Sequence, residues 1–137
     1  IYQAKAMGAS AVLLICSVLE DGRLKAYHQL ADELGLSALV ETHNEEEILR
    51  AQKIGAKIIG VNNRNLKDFT VDIKNSIRLR EMVSSETVFV SESGIRGVKD
   101  MKALYAVLIG ELLMKKSDRK AALMELKQQT GRQLDMN

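Results

Sequence analysis

Apolar and polar positions along the chain fall into two alternating patterns. Short apolar runs rich in β-branched residues recur at Ala11–Ile15, Ala38–Val40, Lys57–Val61, Thr87–Val90 and Ala106–Ile109. Each is too short for a helix and reads as a buried strand. Between them, Leu24–Leu34, Glu45–Ile54, Ile73–Val83, Val98–Tyr105 and Ser117–Gln128 place apolar residues at helical spacing and read as amphipathic helices that cover a sheet. Strand and helix in strict alternation predict a parallel sheet with right-handed crossovers, because parallel neighbours cannot be joined by tight hairpins. The class is α/β.

Three helix-to-strand joints share one device: Met7-Gly8-Ala9, Leu34-Gly35-Leu36 and Ile54-Gly55-Ala56. A glycine there takes the left-handed conformation that ends a helix without a Cβ clash. Its reuse marks a repeat of βα units with a period of roughly 20 to 30 residues. No glycine-rich nucleotide fingerprint follows the first strand, so the repeat favours a (β/α)8 barrel over an open doubly wound sheet. About five strands make that barrel incomplete, one partial-barrel domain spanning residues 1–137. One joint breaks the pattern. Tyr105 runs into Ala106 with no linking residue, although such a reversal takes about 2 to 6 residues. The expectation is that linking residues are omitted there, with a deletion as the alternative. The segment Ile1–Met7 reads as the end of a helix, so the start reads as a cut edge.

Composition narrows the function classes. Of 137 residues, 46% are hydrophobic, enough for a sizeable core. Twenty basic residues nearly balance eighteen acidic ones and are interspersed with them, unlike the concentrated footprint of a nucleic-acid binder. No apolar run approaches the ~18 residues that span a bilayer, so no membrane partner is expected and the default location is cytoplasmic. Cys16 is the one cysteine, and His28 and His43 are the only imidazoles, so neither a disulfide nor a metal centre is expected.

In a barrel the active site forms at the C-terminal ends of the strands. There the sequence places Glu41-Thr42-His43-Asn44, Asn62-Asn63-Arg64-Asn65, Ser91-Glu92-Ser93-Gly94-Ile95 and Gly110-Glu111. Strand side chains alternate faces, so Glu41, Asn62 and Glu92 converge at the mouth if Leu39, Gly60 and Val90 point inward. Two carboxylates beside a carboxamide divide acid and base work when their surroundings hold their pKa values apart. Capping or solvent-facing roles are the plain alternative for any one of them. Ser93-Gly94 and Gly110-Glu111, in consecutive βα units, fit a phosphate site of backbone N–H groups at a helix start. His43 is expected in an exposed loop, with Thr42 or Asn44 capping the next helix and Glu45-Glu46-Glu47 in its first turn. Cys16 is expected to be a packed or rim thiol.

Taken in order, Ala11–Ile15, Val40–His43, Ile59–Leu66, Val90–Ile95 and Val107–Glu111 resemble indole-3-glycerol phosphate synthase over nearly the whole chain. The Gly-x-Asn-x-Arg and Ser-Glu-Ser-Gly-Ile segments together are the specific part. The resemblance implies barrel strands four to eight, preceded by the end of the third helix. It implies a lyase of tryptophan biosynthesis that converts 1-(2-carboxyphenylamino)-1-deoxyribulose 5-phosphate to indole-3-glycerol phosphate, CO2 and water without a cofactor. By the same resemblance Glu41 serves proton transfer, and Asn62 and Glu92 orient the substrate hydroxyls and the intermediate. Arg64 binds an anion or fixes its loop, and Ser93, Gly94, Gly110 and Glu111 hold the phosphate. Leu13, Ile15 and Ile109 line the pocket for the anthranilate ring. The family's lysines of strands one and three and its strand-one glutamate have no counterpart here, so the chain by itself is expected to be inactive. Two other readings stay open: another phosphate-binding barrel enzyme, such as phosphoribosylanthranilate isomerase, and a non-catalytic fragment that self-associates through open sheet edges.

Overall fold

The structure is a computed structural model that describes residues 1–65, 68–97, 99–100, 104 and 106–129. Five strands, β1 (Ala11–Ile15), β2 (Ser37–Thr42), β3 (Ile58–Asn62), β4 (Val88–Glu92) and β5 (Ala106–Leu108), form one sheet in the order β1-β2-β3-β4-β5. Every pairing is parallel. Sequential order without reversal means that each crossover advances by one strand, the winding of a barrel rather than of a doubly wound sheet, whose order reverses at a switch point. The helices bounded within the described residues are α1 (Tyr2–Ala6), α2 (Asp21–Glu33), α3 (Glu45–Lys53), α4 (Lys74–Arg80), α5 (Glu111–Met114) and α6 (Arg119–Gln129).

The glycine joints end their helices as the sequence predicts. At Gly35, with φ +64°, Leu36 N–H bonds to Ala31 O and Gly35 N–H to Asp32 O, and the same pair of bonds recurs at Gly8 and Gly55. This double closure satisfies carbonyls that the helix end would otherwise leave unpaired. α3 begins on a cap of the expected kind: Asn44 accepts the Glu47 N–H at 2.9 Å, and the Glu47 carboxylate accepts the His43 N–H at 2.8 Å.

The sheet has two unlike faces. Leu14, Val40, Ile59 and Phe89 are aligned across four strands and pack with Leu24, Ile48, Ala51 and Leu79 into the buried core beneath the helices. Each such side chain contributes about 1.5–3 kcal/mol on burial. The other face carries layers in register. Leu13, Leu39, Ile58 and Val88 make one, and Ile15, Glu41, Gly60, Val90 and Ala106 the next. Asn62, Glu92 and Leu108 stand at the rim. In a closed barrel such layers fill the interior. Here the ladder stops at β1 and β5, and Leu13, Val88 and Leu108 remain 48%, 51% and 47% exposed on that face. The fold is an arc of a (β/α)8 barrel.

Several element ends differ from the sequence reading. β2, β3 and β4 run one or two residues further, so Glu41, Asn62 and Glu92 lie within strands, because the ladder continues through the Thr42–Val61 and Asn62–Glu92 pairs. α4 ends at Arg80 rather than Val83, and Ile109 falls just beyond β5. β5 forms as a three-residue strand beside β4. Most of the helix expected at Val98–Tyr105, and the joint at Tyr105 itself, lie outside the described residues.

Candidate active site

At the C-terminal ends of the strands, β2 and β4 bring two carboxyl groups together across β3. Glu41 and Glu92 are both buried, and the Glu41 carboxyl is close enough to act on that of Glu92. The strand between supplies the room. A Cβ on Gly60 would collide with Glu92 Oε1 and sit 3.1 Å from Leu39 Cδ1. Burial pushes the Glu92 carboxyl up to about 7, and the neighbouring Glu41 carboxyl pushes it in the same direction. Glu92 Oε1 itself is buried without a hydrogen-bond partner. A carboxyl raised in this way is a group suited to acid work near neutral pH.

Asn62, at the end of β3, shares this inner face but turns its Oδ1 to accept the Arg64 N–H at 3.0 Å, which fixes the start of the following loop. The Arg64 guanidinium then reaches the Glu111 carboxylate at 3.1 Å. Glu111 also takes Lys115 at 2.6 Å, and these two cations, Lys115 foremost, hold its carboxyl below the usual range. A cleft of about 620 Å³ opens here, lined by Arg64, Ser93, Gly94, Ile109, Gly110 and Glu111 among others. Ser93 and Gly94 both have positive φ, 65° and 76°, and a Cβ on Gly94 would strike Val71 Cγ1. Arg64, Arg96 and Lys115 give the cleft three cations against one carboxylate, a balance that suits an anion. The structure thus gathers Arg64, Ser93, Gly94, Ile109, Gly110 and Glu111 at one cleft and Glu41, Asn62 and Glu92 on one face. Leu13 and Ile15 lie on that same face at the β1 edge.

The residues match the sequence model of the indole-3-glycerol phosphate synthase family from 1 to 126. The chain belongs to this family. It is 54% identical over 132 residues to the indole-3-glycerol phosphate synthase of Leuconostoc mesenteroides, covering 93% of this chain and 50% of that protein. It is 55% identical to the synthase of Ruminiclostridium cellulolyticum, covering 93% of this chain and 51% of that one. The chain therefore spans about half the length of these relatives. Among solved structures, thiamine phosphate pyrophosphorylase from Pyrococcus furiosus superposes with a TM-score of 0.73 at 20% identity, over 93% of this chain and 62% of that one. KGPDC from Streptococcus mutans does so at 0.67 and 15% identity, over 93% of this chain and 63% of that one. At those identities the likeness speaks for the fold alone.

Two features of this synthase-family chain were not anticipated from its sequence. His43 is not an exposed loop residue. Its side chain is 15% exposed and held between Glu41, at 3.5 Å from Nε2, and Glu47, at 3.2 Å from Nδ1. Asn75 on α4 closes over it by donating to the His43 carbonyl at 3.0 Å. The second feature is a closed ring of donors beneath the site. Asn63 Nδ2 donates to Ser91 Oγ at 2.9 Å, Ser91 Oγ to Ser76 Oγ at 2.7 Å, and Ser76 Oγ back to Asn63 Oδ1 at 2.8 Å. Asn63 also donates to Ser93 O at 3.1 Å and so ties the ring to the Ser93-Gly94 turn. The signal for the ring was a polar residue on the core-facing phase of β3, β4 and α4. The signal for His43 was its two-residue spacing from Glu41. Cys16, by contrast, is packed as expected, and burial raises its thiol to about 11.

Proposed function

We propose that this chain carries the acid–base face and the phosphate-binding loops of an indole-3-glycerol phosphate synthase acting in tryptophan biosynthesis. The complete barrel is a carboxy-lyase that closes, decarboxylates and dehydrates 1-(2-carboxyphenylamino)-1-deoxyribulose 5-phosphate without a cofactor. The observation that carries this reading is the Glu41–Glu92 pair, buried on the concave face beside a cationic cleft, in a chain of this family. Glu41 exchanges the proton that leaves with the hydroxyl in the dehydration. Glu92, protonated below about pH 7, donates to a substrate or intermediate oxygen, and Asn62 adds its carboxamide to that alignment. The substrate phosphate lies against the backbone at Ser93-Gly94 and Gly110-Glu111. Arg64 exchanges its bond to Glu111 for one to a substrate anion, while Leu13, Ile15 and Ile109 border the aromatic ring.

The family's lysines and its further glutamate belong to strands that this chain does not contain, so the chain by itself turns nothing over. The test is to combine it with the amino-terminal half of the Leuconostoc mesenteroides relative and to follow indole product by fluorescence. Activity that appears only in the combination, and that falls at least a hundredfold in Glu41→Gln with little change in KM, supports the assignment. Unchanged turnover in that variant removes Glu41 from the mechanism. Formation of an isomerised ribulose phosphate in place of indole would transfer the chain to a different reaction.

A further inference from the structure

Next to the carboxyl pair stands a titratable group that the proposed mechanism does not use. His43 follows Glu41 by two residues. Extended backbone sends both side chains the same way, and α3 then packs against the ring. Glu47 Oε2 accepts the His43 backbone N–H at 2.8 Å and lies 3.2 Å from Nδ1, so one carboxylate oxygen fixes both the loop and the ring. On the opposite side Nε2 is buried and satisfies no hydrogen bond, and the nearest acidic atom is Glu41 Oε1 at 3.5 Å. The ring also forms part of the wall of a polar cleft of about 510 Å³, shared with Ser17, Asn44, Glu47, Asn62 and Asn75. Glu41 is not among the residues lining that cleft. The imidazole therefore stands between a buried carboxyl and a water-accessible polar space.

We propose that His43 is the proton-relay residue for Glu41, oriented by Glu47, and that it connects the buried carboxyl pair to the polar cleft. This rests on the assignment of Glu41 to proton transfer. The relay holds one proton between two atoms. Either Glu41 is a carboxylic acid facing the Nε2 lone pair, or it is a carboxylate facing Nε2–H, and Nδ1–H stays on Glu47 in both states. When Glu41 gives its proton to the departing hydroxyl it is left a carboxylate; Nε2 then takes a proton from hydronium in the cleft, and Nε2–H passes it to Glu41 Oε1, which restores the acid facing the lone pair. The proton taken up replaces the one that left with the hydroxyl as water, so only the solvent's proton pool is drawn on. The charged groups around the ring are Glu41 on β2 and Glu47 on α3. Arg64 and Asp72 line the same cleft, Glu92 lies behind Glu41, and Arg50 interacts with Glu47 from beyond. An imidazole whose orientation is set by a second-layer carboxylate is a common way to fix which nitrogen faces the chemistry.

The experiment is nitrogen-15 NMR of the two histidine rings in this 137-residue chain, with His28 on α2 as internal reference. The expected result is that neutral His43 carries its proton on Nδ1, the less common placement for a free imidazole, and loses that bias in Glu47→Gln. A neutral ring protonated on Nε2 overturns the relay. In the recombined barrel, His43→Asn is expected to lower kcat at least tenfold with KM within twofold, and added imidazole to restore part of the loss. Unchanged kcat, or a loss that imidazole leaves untouched, also overturns it. The NMR result is independent of turnover, so a wild-type combination that forms no indole product sinks the synthase reading and leaves the proton placement still decided.

Discussion

The Glu92 carboxyl occupies the space that a side chain at residue 60 would fill, so Gly60 and Glu92 are one structural unit shared by adjacent strands. They sit one register step apart: Gly60 pairs with Val90, and Glu92 with Asn62. Glu92 Oε1 lies where a Cβ on Gly60 would be, and Leu39 Cδ1 closes the same space from β2 at 3.1 Å. The absence of a side chain on β3 is what lets carboxyls from β2 and β4 meet across it.

Gly60→Ala therefore displaces Glu92 into a packed face, and overpacking of this kind costs about 1–3 kcal/mol. Denaturant unfolding should show that loss. The double variant Gly60→Ala with Glu92→Ala should recover most of it, because the two changes share one volume and are coupled. Costs that simply add would mean that Glu92 finds another place without strain.

The raised pKa of Glu92 makes stability depend on pH with a definite sign. Its carboxyl titrates near 7 in the folded chain against an ordinary value of 4.5, so the folded state holds more protons between those limits. Stability from this group is full below about pH 4.5 and is lost as pH rises through about 7, a total on the order of 3 kcal/mol. Glu92→Gln removes the dependence and should raise Tm at pH 8 relative to the parent, while the two converge near pH 5. A parent whose Tm rises from pH 5 to 8, with no difference in the variant, would show that Glu92 is ionised throughout.

Local signals and tertiary signals were not equally readable in the sequence. Each strand was visible as an apolar run, and Gly8, Gly35 and Gly55 marked helix ends because a helix stop depends on a few neighbouring residues. The ends of the strands were not visible. Whether Glu41 and Thr42 continue β2 is decided by the ladder to β3, where Thr42 opposes Val61 and its hydroxyl donates to Gly60 O at 2.8 Å. The burial of His43 is hidden from the sequence for the same reason. Its segment is polar and loop-like, and its burial comes from Glu47 on α3 and Asn75 on α4, residues that meet only once both helices have packed. The resemblance to a known family marked Asn62 but not its neighbour Asn63, which is the better connected of the two.

Asn63 makes four side-chain hydrogen bonds, two donated to Ser91 and Ser93 and two accepted from Ser76. Truncation to Ala leaves the Ser76 N–H and Ser91 Oγ buried without these partners, so Asn63→Ala should cost about 2–4 kcal/mol. Because the carboxamide also holds the Ser93 carbonyl, the variant should loosen the Ser93-Gly94 turn. In the recombined barrel that reads as weaker phosphate binding, a raised KM with kcat less affected. A stability loss with KM unchanged would confine Asn63 to the fold.

The open face of the sheet leads to the last prediction. Among the described residues the sheet ends at β1 and β5 with no further strand beside either, and Leu13, Val88 and Leu108 stand about half exposed on the concave side. A parallel edge beside an apolar face is a template for another strand-bearing chain. At concentrations of tens of micromolar the chain should sediment as an associated species, and the amino-terminal half of a relative should compete with that association. Leu13→Lys places a charge on both the edge and the concave face, so it should shift the chain toward monomer. Because Leu13 is already half exposed, the change should cost only about 1 kcal/mol of fold stability. A chain that stays monomeric at every concentration, with Leu13→Lys indistinguishable from the parent, would mean that neither the edge nor the apolar face recruits a partner. The combination with an amino-terminal half would then have to rely on contacts outside this face.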